Sequence, residues 1–274
     1  GVGYEPEGTF SKDNQTIKVQ DYPDLNALLM TGLICNHAHT TKTETGWSAI
    51  GSPTEAAFIV AAQKAGLKKD HCGSVVCEFS FNSLRKRMSI IEKHQTGMIS
   101  HVKGAPEVLL ASANKILING QEKFLDEAMR EKIREGYKNF AKEGLRTLGL
   151  ARKTLSSKSD ITEEEAESEL VFLGIAGIID PPRIEAKDAI TRTRQAGIRV
   201  IMITGDSPDT ALAVARQIGL KADLALTGTD LKKLSDDALL NLLDQDIVFA
   251  RTVPEDKHRI VKLLQSKSQL VAMT

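Results

Sequence analysis

The spacing of apolar residues divides the chain into two parts with different patterns. In the first part, alternating apolar positions predict strands over residues 74–80, 88–92 and 98–103. Apolar residues three and four positions apart predict amphipathic helices over residues 22–39 and 124–140. Because strands and helices do not alternate regularly here, we expect an α+β domain that combines an antiparallel sheet with helices.

The second part follows Asp180-Pro181-Pro182-Arg183, and in it strands and helices alternate. The predicted helices cover residues 185–196, 208–218, 236–243 and 255–265, and the predicted strands cover residues 198–203, 224–226, 247–250 and 270–273. Such alternation indicates a parallel, doubly wound α/β sheet. Since two prolines stiffen the connection, we place the domain boundary there, giving domains 1–179 and 180–274.

Other segments of the first part give shorter signals. Ser52-Pro53 is an N-cap signature and opens a helix, whereas residues 40–52 are rich in Thr, Gly and Ser and predict a loop. Residues 145–151 predict a strand, and the acidic run 163–169 predicts a solvated helix face. The longest apolar run, residues 170–179, is short for a membrane span of roughly 20 residues and predicts a buried strand.

Composition and charge exclude several classes of protein. The 274 residues are 41% hydrophobic and 26% charged, which is typical of globular proteins rather than disordered or fibrous ones. Thirty-six basic residues balance thirty-six acidic ones, so the net charge gives no reason to expect nucleic acid as a partner. With three cysteines and no signal-peptide pattern at the N-terminus, we expect a soluble chain in a reducing, cytoplasmic compartment.

One group of residue types in the first part suits a nucleotide. Phe81 and Lys86 flank a predicted strand–turn–strand, Lys103-Gly104 ends the next strand, and Arg146 begins another. An aromatic face can stack a purine, and cations from several strands can bind a polyphosphate. Glycine at 104 would let a ligand approach the backbone. The ordinary alternative is a core phenylalanine beside a basic hairpin, and spacing alone does not decide between them.

A second group lies in the second part. The tripeptide Thr204-Gly205-Asp206 follows a predicted strand and precedes a helix, an arrangement that suits phosphate binding. The loop after residues 247–250 contains Arg251 and is followed by Lys257 early in the next helix. Both loops follow strands of one parallel sheet, so we expect them at the same edge. A plain capped turn and a solvated lysine are the ordinary alternatives.

Other binding motifs are missing. Neither GxxxxGK[ST] nor GxGxxG occurs, which argues against a P-loop or a Rossmann dinucleotide site. Cysteine and histidine residues at 35, 37, 39, 71, 72 and 77 do not have the spacing of structural zinc sites. We therefore predict no metal ligands within this chain.

Taken in order, the motifs resemble those of P-type cation-transporting ATPases, and they are most similar to the calcium-pump-like branch. They are GYEPEG, LICN, GSPTEAA, FNSLRKRMS, KGAPE, GLRTLGLA, DPPR, MITGD and FARTVPEDKHRIV, and together they extend over nearly the whole chain. The resemblance implies that residues 1–179 form the nucleotide-binding domain. It also implies that residues 180–274 form part of the phosphorylation domain, with a fold like that of haloacid dehalogenases.

The resemblance also implies roles for particular residues toward ATP. Phe81 would stack the adenine with Glu55 at its rim, and Lys86, Lys103 and Gly104 would line the pocket. The further nucleotide-binding positions implied by the family are Arg146, which would reach the phosphates, Asp180 of the DPPR motif and Arg251. In the catalytic region, Thr204, Gly205 and Asp206 would meet the γ-phosphate and the metal, and Lys257 would neutralise the transferred phosphoryl group.

Two motifs of the family do not occur in the chain. These are the DKTGT motif with the phosphorylated aspartate and the Mg²⁺-binding GDGVND motif, and the membrane helices and actuator domain are also missing. We therefore expect a fragment of a pump that binds ATP without turnover. The parent protein would use ATP and Mg²⁺ to transport a cation, with calcium favoured. A haloacid-dehalogenase-like phosphohydrolase and a nucleotide-sensing module are the alternatives.

Overall fold

The chain separates into two compact units in the computed structural model, which describes residues 3–44, 46–69, 73–95, 97–156, 160–179, 184–245 and 247–273. The first unit contains Gly1–Tyr137 and Thr147–Ile178, and the second contains Lys138–Arg146 and Ile179–Thr274. The predicted domain boundary at Asp180 lies outside the described residues. The assignment of domains 1–179 and 180–274 therefore stays a prediction.

The elements from the start of the chain to Ile178 are mostly strands. In order, they are β1 (Phe10–Lys12), β2 (Gln15–Ile17), a 3₁₀ turn (Val19–Asp21), α1 (Pro23–Ile34), β3 (His39–Thr43), β4 (Gly46–Ile50), α2 (Pro53–Lys64), β5 (Ser74–Asn82), β6 (Arg87–His94), β7 (Gly97–Gly104), α3 (Pro106–Ser112), β8 (Ala113–Ile118), β9 (Gln121–Phe124), α4 (Glu127–Lys142), β10 (Arg146–Leu155), α5 (Glu163–Glu167) and β11 (Leu170–Ile178).

A seven-stranded sheet organises the first unit, in the order β5-β6-β7-β10-β11-β8-β9. The pairs β5–β6, β6–β7, β7–β10 and β8–β9 are antiparallel, as expected. The sheet is nevertheless mixed, because β11 runs parallel to β8. A parallel pair needs a long crossover, and the chain between β8 and β11 is long enough to supply one. The predicted antiparallel sheet with helices is therefore present, and the β11–β8 pair makes the sheet mixed.

The core of this unit lies between the sheet and its helices. Its largest cluster joins residues from β7, β8, β10, β11 and α3, with Leu125 beside α4. The buried members are Val102, Leu109, Leu110, Ala113, Leu125, Ala151, Leu170 and Phe172. The first four residues of β11 are buried, in agreement with the buried strand predicted from the apolar run.

Three local predictions in the first unit need correction. Residues 40–52 contain the β3–β4 hairpin rather than a loop, since threonine has a high β propensity and Thr41 pairs with Ser48 across it. Helix α1 ends at Ile34 because the Asn36 side chain hydrogen-bonds Gly32 O and Ala38 N–H, bonds that compete with further helix. The acidic helix α5 is not wholly solvated, because Glu167 is 1% exposed.

The second unit contains a three-stranded sheet flanked by helices. Its elements after Ile179 are α6 (Ile184–Gln195), β12 (Met202–Ile203), α7 (Pro208–Gln217), β13 (Leu224–Thr227), α8 (Gly228–Lys233), α9 (Asp236–Leu242), β14 (Ile247–Ala250) and α10 (Pro254–Ser266). The order is β12-β14-β13, and both pairs are parallel, as the alternation of elements predicted.

Two predicted strands of the second unit differ from the structure. Only Met202 and Ile203 of residues 198–203 form a ladder, and Ile198 is 60% exposed. Residues 270–273 form no strand, and Leu270 is fully exposed. Apolar composition alone does not make a strand, because a strand also needs a neighbour to share its backbone hydrogen bonds.

Candidate functional site

An ion pair lies at the centre of the candidate site in the first unit. Lys103, near the end of β7, is 6% exposed, and its Nζ donates to Glu55 Oε1 at 2.8 Å. Glu55 is in the first turn of α2, which begins at Pro53. The partial positive charge of a helix N-terminus favours a carboxylate at this position. Among the described residues, this is the single hydrogen bond of Lys103 Nζ, so two ammonium protons remain for a ligand.

Asn36 fixes the position of the Glu55 backbone. Its Nδ2 donates to Gly32 O at 3.0 Å and to Glu55 O at 2.9 Å, which joins the end of α1 to the start of α2. Lys69 Nζ in turn donates to Asn36 O at 3.2 Å. Asn36 is 3% exposed. Asn36 belongs to the LICN motif, but its role could not be predicted from the sequence, because its partner Glu55 lies 19 residues further along the chain.

Cys35 is buried next to the same ion pair. Burial raises the pKa of its thiol to about 12, and the positive charge of Lys103 only partly opposes that shift. The Sγ lies 3.7 Å from Met88 O. A thiol that stays protonated at neutral pH is a poor nucleophile and a poor metal ligand. Cys35 therefore contributes packing rather than chemistry.

The turn between β5 and β6 connects Phe81 to Lys86. Lys86 has a positive φ of 53°, its N–H donates to Asn82 O at 2.7 Å, and its carbonyl accepts from Ala105 N–H at 2.9 Å. A Cβ on Gly104 would lie 2.6 Å from Lys86 O. Glycine at 104 is therefore needed to let this turn pack against the end of β7.

Two exposed side chains on this turn, Phe81 and Lys86, are of the types predicted to bind a nucleotide. Phe81 is 63% exposed at the end of β5, so a ring face is open to solvent. Lys86 Nζ is 3.9 Å from Glu107 Oε1, a loose and exposed pair that a stronger anion could displace. An open aromatic ring and an exposed cation on one tight turn match the needs of a purine with a phosphate tail.

A second charged network holds the base of the turn on the opposite face of the sheet. Arg87 Nε lies 2.6 Å from Glu167 Oε2, and Ser89 Oγ donates to Glu167 Oε1 at 2.9 Å. Arg87 also donates to Ser112 Oγ at 2.7 Å, and Arg85 pairs with Glu163 at 2.8 Å. This network immobilises the strand that follows Lys86.

The remaining nucleotide-binding predictions lie elsewhere in the chain. Arg146 is the first residue of β10, is exposed and is grouped with the second unit, as is Arg251. Asp180 lies outside the described residues. The first unit therefore contains Glu55, Lys103 and Gly104, together with the turn that carries Phe81 and Lys86.

In the second unit, two loops meet where the parallel strands end. Thr204 Oγ1 donates to Asp206 Oδ2 at 3.0 Å, and Arg251 N–H donates to Asp206 O at 2.8 Å. Thr252 Oγ1 donates to Thr204 O at 2.9 Å. Arg251 has a positive φ of 47°, which turns the chain back toward the first loop. Asp206 and Gly205 are exposed, so this edge is accessible to a ligand.

Asp256 supports these loops, although no role was predicted for it within the FARTVPEDKHRIV motif. It is 7% exposed, and its Oδ2 accepts the N–H of Val253 at 3.0 Å at the start of α10. A Cβ on Gly228 would lie 2.7 Å from the same oxygen, so glycine lets a third loop approach. Lys257 follows Asp256 in the first turn of α10 and is half-buried.

The cysteines and histidines considered for zinc have other surroundings. His37 Nε2 lies 2.9 Å from Glu78 Oε2. Hydrogen bonds from Ser80 and then from His37 lower the pKa of the Glu78 carboxyl. His71 and Cys72 lie outside the described residues. Over the part of the chain that the structure describes, no three such side chains converge as a metal site would require, and no helix has the length and apolarity of a membrane span.

Comparison with known proteins identifies the family. The profile of the family described as P-type ATPase, cytoplasmic domain N, matches residues 24–185. The chain therefore belongs to the P-type ATPase family.

The similar proteins are cation pumps. The chain is 36% identical over 280 residues to the calcium-transporting ATPase of Bacillus subtilis, covering 100% of this chain and 32% of the relative. It is 38% identical to calcium-transporting ATPase 1 of Bacillus cereus, covering 92% and 28%. It is 35% identical to a sodium/potassium exporting P-type ATPase of Schizosaccharomyces pombe, covering 90% and 25%. The chain thus spans about a third or less of the length of these relatives.

Proposed function

We propose that this chain is the ATP-binding part of the cytoplasmic head of a cation pump. The observation that carries the proposal is the buried Lys103–Glu55 pair, in the same unit as the open ring of Phe81. ATP would stack its adenine on Phe81, with Glu55 at the rim of the pocket. Lys103 and Lys86 would add charge-assisted bonds, and Gly104 would keep the turn close to them.

We further propose that residues 180–274 are part of a phosphorylation domain with a haloacid-dehalogenase-like fold. The parallel sheet and the two loops at its carboxyl edge support this assignment. Thr204, Gly205 and Asp206 would face the γ-phosphate, and Lys257 would neutralise the transferred phosphoryl group. Arg146, Asp180 and Arg251 would complete the nucleotide contacts. Mg²⁺, when bound in the parent protein, would take the charge that develops in the transfer.

The parent protein would couple ATP hydrolysis, through an aspartyl phosphate, to cation transport. The names of the Bacillus relatives favour calcium, and the name of the Schizosaccharomyces relative keeps monovalent cations open. Its actuator and transmembrane domains would be the partners of this head. The 274 residues contain no DKTGT and no GDGVND. Since transfer needs a nucleophile and a metal, this polypeptide should bind ATP and should not turn it over.

Substitution of Phe81 by alanine tests the proposal. Loss of base stacking, about 1–3 kcal/mol, should weaken ATP binding by about 5- to 150-fold. The measurement is a titration with ATP followed by NMR, or with a fluorescent ATP analogue. Leu84→Ala is the matched control, because Leu84 is 92% exposed on the same turn and should not contribute. Equal affinity of the two variants, or turnover at a pump-like rate that Phe81→Ala abolishes, would contradict the proposal.

A further inference from the structure

A separate cavity lies between α1 and the sheet of the first unit. Its volume is about 370 Å³, and α1, β6, β7, β8 and β10 contribute to its lining. Part of its wall is apolar, with Ala27, Ile34 and Leu117 among the lining residues. Glu55, Phe81, Lys86, Lys103 and Gly104 do not line it, so it is distinct from the candidate nucleotide site.

A buried histidine is part of the lining of this cavity. His101 is 5% exposed, and its Nδ1 lies 2.9 Å from Thr31 Oγ1. Its Nε2 is buried without a hydrogen-bond partner among the described residues, although Glu92 Oε2 is 3.4 Å away. With the proton on Nε2, which faces the Glu92 carboxylate, Nδ1 accepts from the Thr31 hydroxyl.

Glu92 contributes a negative charge to the lining of the cavity, and two imidazole rings lie beside its carboxylate. The residue is 2% exposed, and its Oε2 lies 3.2 Å from His94 Nε2 as well as 3.4 Å from His101 Nε2. One carboxylate thus lies within reach of two imidazoles. Since the polar hydrogens of both rings can face it, its charge opposes an incoming anion less than an unpaired carboxylate would.

Two donors in the lining have no side-chain partner among the described residues. Arg152 lies directly opposite His101 in the β7–β10 ladder, which puts both side chains on one face of the sheet. It is half-buried, and its guanidinium makes no hydrogen bond or ion pair with any described residue. The Asn26 amide on α1 likewise makes no side-chain hydrogen bond within the described residues. A half-buried guanidinium that forms no ion pair is unusual in a folded protein.

We propose that this cavity binds a small organic acid, a carboxylate or phosphate group on an apolar body about one ring in size. Arg152 would bind the anionic group through its planar fork, and Asn26 Nδ2 would donate to it. The apolar wall would cover the body of the ligand. The volume lies at the small end of the range for ligand pockets, which excludes a whole nucleotide triphosphate.

Ring signals of His94 and His101 in the ¹⁵N-labelled full chain test the proposal. Benzoate and phenyl phosphate at millimolar concentration should shift the His101 Nε2 signal. Benzyl alcohol has no anionic group, and inorganic phosphate has no apolar body, so each should bind at least about tenfold more weakly. No His101 shift with benzoate or phenyl phosphate would overturn the proposal, and so would inorganic phosphate binding as well as phenyl phosphate.

Variants then separate the site from a general charge effect. Arg152→Gln should weaken benzoate binding at least about tenfold. Lys153→Gln makes the same charge change one residue along and should leave benzoate binding unchanged, because Lys153 pairs with Glu169. Equal affinities in the two variants would overturn the proposal. Phe81→Ala should not affect benzoate binding. A failure of the proposed organic-acid site can therefore be distinguished from a failure of the proposed ATP site.

Discussion

Two ion pairs, Lys103–Glu55 and Arg87–Glu167, use side chains on opposite faces of the same sheet. They differ in how many of their hydrogen-bonding groups have partners. Lys103 lies opposite Met88 in the β6–β7 ladder, whereas Arg87 is the residue before Met88, so their side chains point to opposite faces. The Lys103–Glu55 pair is 2.8 Å long, with Glu55 17% exposed. The Arg87–Glu167 pair is 2.6 Å long, with the Glu167 side chain fully buried.

The difference lies in the remaining hydrogen-bonding capacity. Both Glu167 oxygens are occupied, one by Arg87 and the other by Ser89, and Arg87 is also bonded to Ser112. Lys103 Nζ has one hydrogen-bond partner among the described residues and keeps two donors. A saturated buried pair has no donor left for a ligand, whereas an unsaturated one keeps donors that can bind one. Burial alone therefore does not distinguish a structural pair from a binding pair.

The largest effect should follow from Glu167→Ala. Removing the carboxylate leaves Arg87 without its buried counter-charge, whereas Arg85 keeps Glu163, and the loss costs about 3–5 kcal/mol of unfolding free energy. Urea denaturation of the first-unit transition measures this loss. Glu163→Ala on the same helix is the control, because its carboxylate is 50% exposed and should cost at most about 1 kcal/mol. Similar losses in the two variants would mean that Glu167 is no more structural than its exposed neighbour.

Lys103→Ala should have a smaller effect on stability and a larger one on ATP. The Glu55 carboxylate left behind is partly exposed and lies at a helix N-terminus, so the unfolding free energy should fall by only about 1–2 kcal/mol. Loss of a charge-assisted bond should weaken ATP binding by about 10- to 100-fold. Titration of the folded variant with ATP measures this. Unchanged affinity would remove Lys103 from the site and leave both pairs as structural.

The sequence predicted the elements that carry the two pairs better than the pairs themselves. Strands β5, β6 and β7 follow from alternating apolar residues, and the start of α2 follows from Ser52-Pro53. The loops at Thr204 and Arg251 were expected at one edge of a parallel sheet, and hydrogen bonds join them there. These signals are local, so a single sequence is sufficient to show them.

Most of the failures involve contacts between distant residues. Glu167 was assigned to a solvated face because the acidic run is polar except for Ala166, and its partner Arg87 lies 80 residues earlier in the chain. The parallel β8–β11 pair depends on which strands become neighbours, whereas the β3–β4 hairpin is local and was missed because its Thr, Gly and Ser content was taken to predict a loop. Residues 270–273 have the composition of a strand without a neighbour to pair with. Local pattern predicts an element, but its burial and its charge partners depend on topology.

The smallest effect is expected for the His37–Glu78 pair, which is more exposed than the other two ion pairs. Hydrogen bonds from Ser80 and His37 lower the pKa of Glu78 below 4.5, so its contribution to stability is present above pH 4.5 and is lost as the pH falls through the folded-state pKa. Since His37 is 54% exposed, we expect at most about 1 kcal/mol. Glu78→Gln should therefore make the unfolding free energy, measured in urea between pH 3 and pH 7, fall less steeply on the acid side.

Glu164→Gln removes an exposed carboxylate with no side-chain partner among the described residues and should leave that slope unchanged. An equal change of slope in both variants would show that the Glu78 carboxyl is stabilised no more than a solvated one.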